Sequence, residues 1–125
     1  MIGHLSFVAL GGAIGASLRF LLGHAVLRIV GPGFPVAIMG ANILGSFLMG
    51  VFVVVAAQRG LGHLSPFVMT GLLGGFTTFS AFSLETVTLI ERGQTGQALL
   101  YVAVSVIGSI LALMAGLWLA RGVFA

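Results

Sequence analysis

The sequence predicts an all-α membrane protein with four transmembrane helices, the third broken near its middle. Composition comes first: 59% of the 125 residues are apolar and 6% are charged, and mean hydropathy is +1.25, whereas soluble domains carry about a quarter charged residues. Punctuation comes second, since short polar or glycine-rich segments divide the apolar runs into four. The third observation is the stretch Gly71 to Glu85. It packs three glycines, two threonines, two serines and a carboxylate into a chain that is otherwise almost all hydrocarbon. Unpaired backbone groups cost several kcal/mol each in lipid, so such a stretch is tolerated where it lines a cavity or holds an ion.

A span takes about 20 apolar residues, so four of them use roughly 80 and leave short loops and no room for a separate soluble domain. Residues 1–125 are therefore read as a single four-span transmembrane domain. The expected spans are Leu5 to Leu22, Phe34 to Ala57, Leu64 to Ile90 and Ala98 to Leu119. Gly31-Pro32-Gly33-Phe34-Pro35 separates the first two, Gln58-Arg59-Gly60-Leu61-Gly62 the next pair, and Glu91-Arg92-Gly93-Gln94-Thr95-Gly96 the last. Met1-Ile2-Gly3-His4 offers no lysine or arginine ahead of the first apolar run, so that run is expected to be a retained helix and not a signal peptide.

With loops this short, neighbouring spans run antiparallel, and arginine counts address orientation under the positive-inside rule. Arg28 and Arg92 fall on one side, Arg59 and Arg121 on the other, and Arg19 lies within the first span. That tie fits insertion in both orientations, and it also arises by chance among so few charges. The sequence pI of 11.4 comes from five arginines against two glutamates with no basic stripe, so no nucleic-acid partner is expected. Cysteine is absent, which excludes disulfides and thiolate metal sites.

Polar side chains are placed with regularity. At about 100° per residue, Tyr101, Ser105, Gly108, Ser109, Ala112 and Gly116 share one face of the fourth span. The serines either bond back to the preceding turn or face a pathway. Asn42, Ser46 and Gly50 align on the second span. There the buried amide either joins helices or offers its NH2 to a passing anion.

In the third span, Phe79, Phe82 and Glu85 share a broad face, and ring edges carry positive potential that an anion can meet weakly. The adjacent glycines before Thr77-Thr78 make a helix break there plausible, and broken helices expose carbonyls able to hold sodium. Glu85 is the one acid well inside a span, read as a proton carrier or as an acceptor that orients hydroxyls. Arg19 either partners an acid, binds an interfacial phosphate or draws anions toward an entrance. His4, His24 and His63 lack metal-ligand spacing. No nucleophile elbow, phosphate loop or paired catalytic carboxylates occur, so the chain is not expected to be an enzyme. Four thin helices seldom enclose a pore alone, and subunit association is expected.

Three blocks resemble the Fluc (CrcB) family of bacterial fluoride channels: Gly11 to Phe20, Asn42 to Gly50, and Gly74-Gly75-Phe76-Thr77-Thr78-Phe79-Ser80-Ala81-Phe82-Ser83 followed by Glu85. The resemblance implies an antiparallel, dual-topology homodimer in the bacterial inner membrane. It would carry two fluoride pathways and a structural sodium ion (Na+) at the subunit interface. Gly74 and Thr77 would then supply sodium-coordinating carbonyls, Asn42 would face the pore, and Phe79 and Phe82 would be pore-lining rings. Thr78, Ser83, Glu85, Tyr101, Ser105 and Ser109 would continue a polar track, with Arg19 near an aqueous vestibule. Many members carry threonine or serine where this chain has Ala81, and Gly-Thr where it has Ala37-Ile38, so an altered rate or affinity is expected, with conduction retained.

Passive, fluoride-selective export is the resulting expectation, with fluoride and membrane lipid as partners. The alternatives are a proton-coupled drug or cation exporter using Glu85, and an assembly subunit without transport.

Overall fold

The computed structural model describes residues 1–124, which form four long helical spans. Helix α1 (Ile2–Val30) runs eight residues beyond the expected end at Leu22, because nothing between Gly23 and Val30 forbids helix. It stops at Gly31, whose φ of 87° is followed by Pro32, a residue with no N–H to continue the ladder. Helix α2 (Val36–Arg59) begins after Pro35 and ends at Gly60 in the left-handed conformation, φ 66°. The fourth span is one helix, here α5 (Thr95–Phe124). The shortest of these, 24 residues, is about 36 Å long at 1.5 Å per residue, enough for a hydrocarbon core of about 30 Å.

The third span, Gly62–Glu91, is discontinuous. A short turn (Gly62–Leu64) leads into a wide π-helical stretch (Pro66–Leu73) and one α turn, α3 (Gly74–Phe76). Thr77 and Thr78 are then extended, at φ/ψ −87°/159° and −155°/124°. Helix α4 (Phe79–Glu91) resumes beyond them. The break therefore falls at the two β-branched threonines, which enter extended backbone readily. Gly74 and Gly75 themselves stay helical, and the break expected near the middle of the span follows them directly.

Gly75 serves packing, as does Gly71 one turn earlier. A Cβ added at Gly75 would lie 2.7 Å from the Gly12 carbonyl oxygen, and one at Gly71 would lie 2.8 Å from that of Val8. Gly11 and Gly15 of α1 likewise face the carbonyls of Phe67 and Leu72. Without side chains between them, α1 and the first half of the third span meet backbone to backbone, as small residues allow in lipid. On the other side of the bundle, α2 and α5 meet in the same way: Gly50 sits on the Leu113 carbonyl and Gly116 on that of Phe47.

The interior is small. Phe82, Leu89, Ala98 and Tyr101 form the buried cluster, with Phe34, Ile38, Met39 and Val102 packed against it. Tyr101 and Leu89 are its fully enclosed large side chains. Outward faces carry exposed Phe20, Leu99, Ile107 and Trp118, an arrangement costly in water and neutral in lipid. The chain is a multi-pass membrane protein.

Replacing Gly116 by alanine places a methyl group against the Phe47 carbonyl and should destabilise the protein by about 1–3 kcal/mol, whereas Gly122, with nothing near its missing Cβ, should accept alanine silently. Thermal unfolding of the two variants in detergent checks this; equal transitions would remove the backbone contact from the packing account.

Candidate functional site

The break leaves a helix end on each side. α3 terminates in carbonyls that have lost their i+4 partners, and α4 opens with N–H groups that have none. One carbonyl in this region, that of Leu73, accepts from both the Thr77 N–H and the Thr77 hydroxyl at 2.9 Å. Thr78 caps α4, its hydroxyl accepting from the Ala81 N–H at 3.2 Å and lying 3.3 Å from the Ser80 hydroxyl.

Asn42, on α2, satisfies the extended residue from outside. Its Oδ1 accepts from the Thr78 N–H at 2.7 Å, and its Nδ2 donates to the Thr78 carbonyl at 3.0 Å. A side-chain amide thus pairs with a backbone amide in the manner of a one-residue strand. The pairing fixes which way the Asn42 amide points, because a backbone N–H only donates and a carbonyl only accepts. It consumes one of the two Nδ2 hydrogens and leaves one. Gly45, one turn along α2, makes room for the Thr77 methyl, which a Cβ at that position would strike.

A second bond comes from α1. Arg19 Nε donates to the Gly75 carbonyl at 3.2 Å, across 56 residues of sequence. None of the hydrogen bonds among the described residues ends on the carbonyls of Gly74 or Thr77.

Alongside the break runs an open groove of about 370 Å³ between α2, α4 and α5. Asn42, Ser46, Thr77, Thr78, Phe79 and Phe82 line one part, with Ser105 and Ser109 opposite. The rings form a continuous file. Phe79 and Phe82 are 5.5 Å apart between centroids, Phe82 and Tyr101 5.2 Å, and Tyr101 meets Phe34 edge to face at 5.5 Å. Phe79 is 77% exposed at the mouth, while Phe82 is 8% exposed within. Ser105 Oγ and Tyr101 Oη are buried without a hydrogen-bond partner, which removes back-bonding to the preceding turn as the role of Ser105 and leaves two polar atoms without partners in the interior.

Of the positions singled out by sequence, the structure therefore gathers Asn42, Thr77, Thr78, Phe79, Phe82, Ser105 and Ser109 on one groove. Tyr101 sits behind Phe82 and does not line it. Ser83 is exposed and its hydroxyl donates to the Phe79 carbonyl at 3.0 Å. Glu85 is half-buried farther along α4, outside the groove and without an ion pair among the described residues. Gly45, Ser46, Met49, Val106, Ile110 and Leu113 complete the lining. The step of four from Asn42 pointed to Ser46, and the apolar members carry no polar signal. Arg19 lines a separate cavity of about 320 Å³ with Phe20, Gly23, His24, Leu27, Ala37 and Ile38. Among the described residues no three His, Cys or acidic groups converge for a metal.

Asn42→Leu leaves the Thr78 N–H and carbonyl without their side-chain partner inside the bilayer span, at about 1–3 kcal/mol per group. Its thermal transition should fall well below that of Asn42→Gln, which retains both bonding functions; equal stability of the two would show the amide pair to be dispensable.

Comparison with known proteins covers nearly the whole chain. A profile described as CrcB-like protein, Camphor Resistance (CrcB), matches residues 6–117. The chain is 72% identical over 122 residues to a "Fluoride-specific ion channel FluC" of Roseobacter denitrificans, covering 96% of this chain and 97% of that one. It is 69% identical over 117 residues to the protein of the same name from Ruegeria sp., covering 93% of each, and 58% identical over 122 residues, 98% of each, to that of Cereibacter sphaeroides. With its helix break, glycine contacts and polar groove in the matched region, the chain belongs to the CrcB-like protein family.

Proposed function

We propose that this chain is a subunit of a passive fluoride-selective channel, in which two copies associate antiparallel and the groove beside the helix break conducts the ion. The observation that carries the reading is the Asn42 amide: locked by Thr78, it holds one spare N–H on the groove beside hydroxyls and aromatic edges. Relatives named fluoride-specific ion channels, one of them 72% identical over 122 residues, support the same choice of ion.

Fluoride is small and strongly hydrated, so a pathway through lipid must replace its water with donors. Asn42 supplies a neutral N–H, Ser46, Thr78, Ser105 and Ser109 supply hydroxyls, and the N-terminus of α4 contributes the positive end of its helix dipole. Phe79 and Phe82 offer ring edges, which attract an anion without holding it as a full charge does. No basic side chain lines the groove. Weak, serial contacts of this kind favour conduction over trapping, and a passage bounded by rings rejects larger halides by width.

The open side of the groove and the exposed Phe79 support a second copy as the missing wall. An antiparallel partner also agrees with the balanced arginines. The charge on the chain excludes neither orientation, and release of fluoride from the cytoplasm follows from its own electrochemical gradient.

The donor set at the break fits a structural sodium ion. Hard cations take oxygen ligands, and the carbonyls of Gly74 and Thr77 flank the discontinuity without accepting protein hydrogen bonds among the described residues. These two residues would hold the ion. When bound, it would supply positive charge that neutralises carbonyl ends brought together at the subunit interface. A proton-coupled exporter would need Glu85 on the pathway, and Glu85 lies off the groove.

Phe79→Ile and Phe82→Ile should each lower fluoride efflux from liposomes by more than about tenfold, equivalent to about 1.4 kcal/mol of barrier, with the dimer intact by size exclusion; normal flux from both would take the rings out of the mechanism. Glu85→Gln should retain most fluoride flux with no proton gradient imposed, and its loss would favour the exchanger. Replacing sodium by a bulky organic cation should suppress fluoride flux and loosen the dimer, while undiminished flux would exclude a required sodium ion.

A further inference from the structure

The carbonyls at the end of α3 are not equivalent. Gly74 and Thr77 accept no protein hydrogen bond among the described residues, while Gly75, between them, accepts one from Arg19 at 3.2 Å in a half-buried setting. The donor is Nε, the guanidinium nitrogen nearest the aliphatic stem; the two terminal nitrogens have no hydrogen-bond partner among the described residues, and the side chain lines a cavity shared with His24. Gly75 is also held in place by its backbone: an added Cβ would lie 2.7 Å from the Gly12 oxygen and 3.1 Å from the Gly12 Cα. Gly12 and Arg19 stand seven residues apart, two turns on one face of α1. That single face both abuts the α3 turn and ties its middle carbonyl.

We infer that Arg19 is a positioning residue for the break: by consuming the Gly75 carbonyl it fixes the orientation of the last turn of α3 and decides which carbonyls stay available to a cation. This deepens the sodium reading of the preceding section and rests on it for the cation. The clamp itself rests on the Arg19 to Gly75 bond alone. An arginine that served only as an entrance charge would need no partner in the third span, and lysine would replace it. A hydrogen-bonded Nε inside a packed interface is not reproduced by a lysine ammonium, whose single donor point lies at the chain end and is strongly hydrated.

The test uses two readouts on the full-length protein. Glycine labelled with 13C at the carbonyl together with phenylalanine labelled with 15N marks just two peptide bonds, Gly33–Phe34 and Gly75–Phe76. Arg19→Lys and Arg19→Gln should each move the Gly75 carbonyl resonance in the direction of a weakened hydrogen bond and leave that of Gly33 in place. Sodium required for half-maximal fluoride flux should rise by about tenfold or more in Arg19→Lys, the scale seen when an outer-shell partner of a metal ligand is removed. Flux at saturating sodium should be recovered.

An unmoved Gly75 resonance in both variants overturns the proposal. So does a moved resonance accompanied by unchanged sodium dependence, which would make the bond incidental to the cation. If the unsubstituted protein conducts without sodium while Arg19→Lys still displaces the Gly75 resonance, the cation reading fails and the part of the proposal concerning carbonyl choice falls with it, leaving the clamp on the backbone supported.

Discussion

The reciprocal pair between the Asn42 side chain and the Thr78 backbone is the interaction on which the rest of the structure depends. A chain crossing lipid can leave the helical ladder only where something else satisfies its backbone. Here Asn42 takes both groups of one extended residue, Thr78 then caps α4, and Arg19 takes a carbonyl of the turn before. Helices α1 and α2 thus converge on the broken segment of the third span. Remove that convergence and the third span has no reason to leave the helix at Thr77 and Thr78 and place Phe79 and Phe82 on the groove beside α5.

Polarity follows from the same break. A continuous helix hides its N–H and C=O groups from lipid and from ions alike. Interrupted at Thr77 and Thr78, it presents carbonyls on one side and N–H groups on the other, with opposite preferences for charge. A single discontinuity can therefore serve a cation and an anion without any ionised side chain at the groove. Buried Ser105 and Tyr101, with unpartnered oxygens, extend the supply of polar atoms toward α5, one on the groove and one behind the ring of Phe82.

Four spans were legible in composition and punctuation, because the bilayer imposes a length and loops impose glycine and proline. Span ends were not: α1 continues to Val30 since His24 and Arg28 are tolerated in a helix and only Gly31-Pro32 stops it. The break near the middle of the third span was legible, but not the role of the glycines ahead of it. Paired glycines signal freedom or close approach equally, and at Gly75 the close approach to Gly12 is what the structure uses. The groove was readable where side chains repeat at helical spacing, as with Asn42 and Ser46 or Ser105 and Ser109. Tyr101 shares that spacing but turns into the aromatic cluster. Glu85 shares a face with Phe82 and still misses the groove, since α4 extends past it. The Arg19 to Gly75 bond, between residues 56 apart in sequence, left no pattern to read.

The central claim is that the remaining N–H of the Asn42 amide meets the conducted ion. Asn42 is the only asparagine in the chain, so 15N-asparagine labelling reports on it alone. Dipolar recoupling between bound 19F fluoride and the Asn42 side-chain nitrogen in a membrane sample should show dephasing at hydrogen-bond range, about 3 Å. Fluoride that is demonstrably bound yet shows no coupling to that nitrogen would contradict the account.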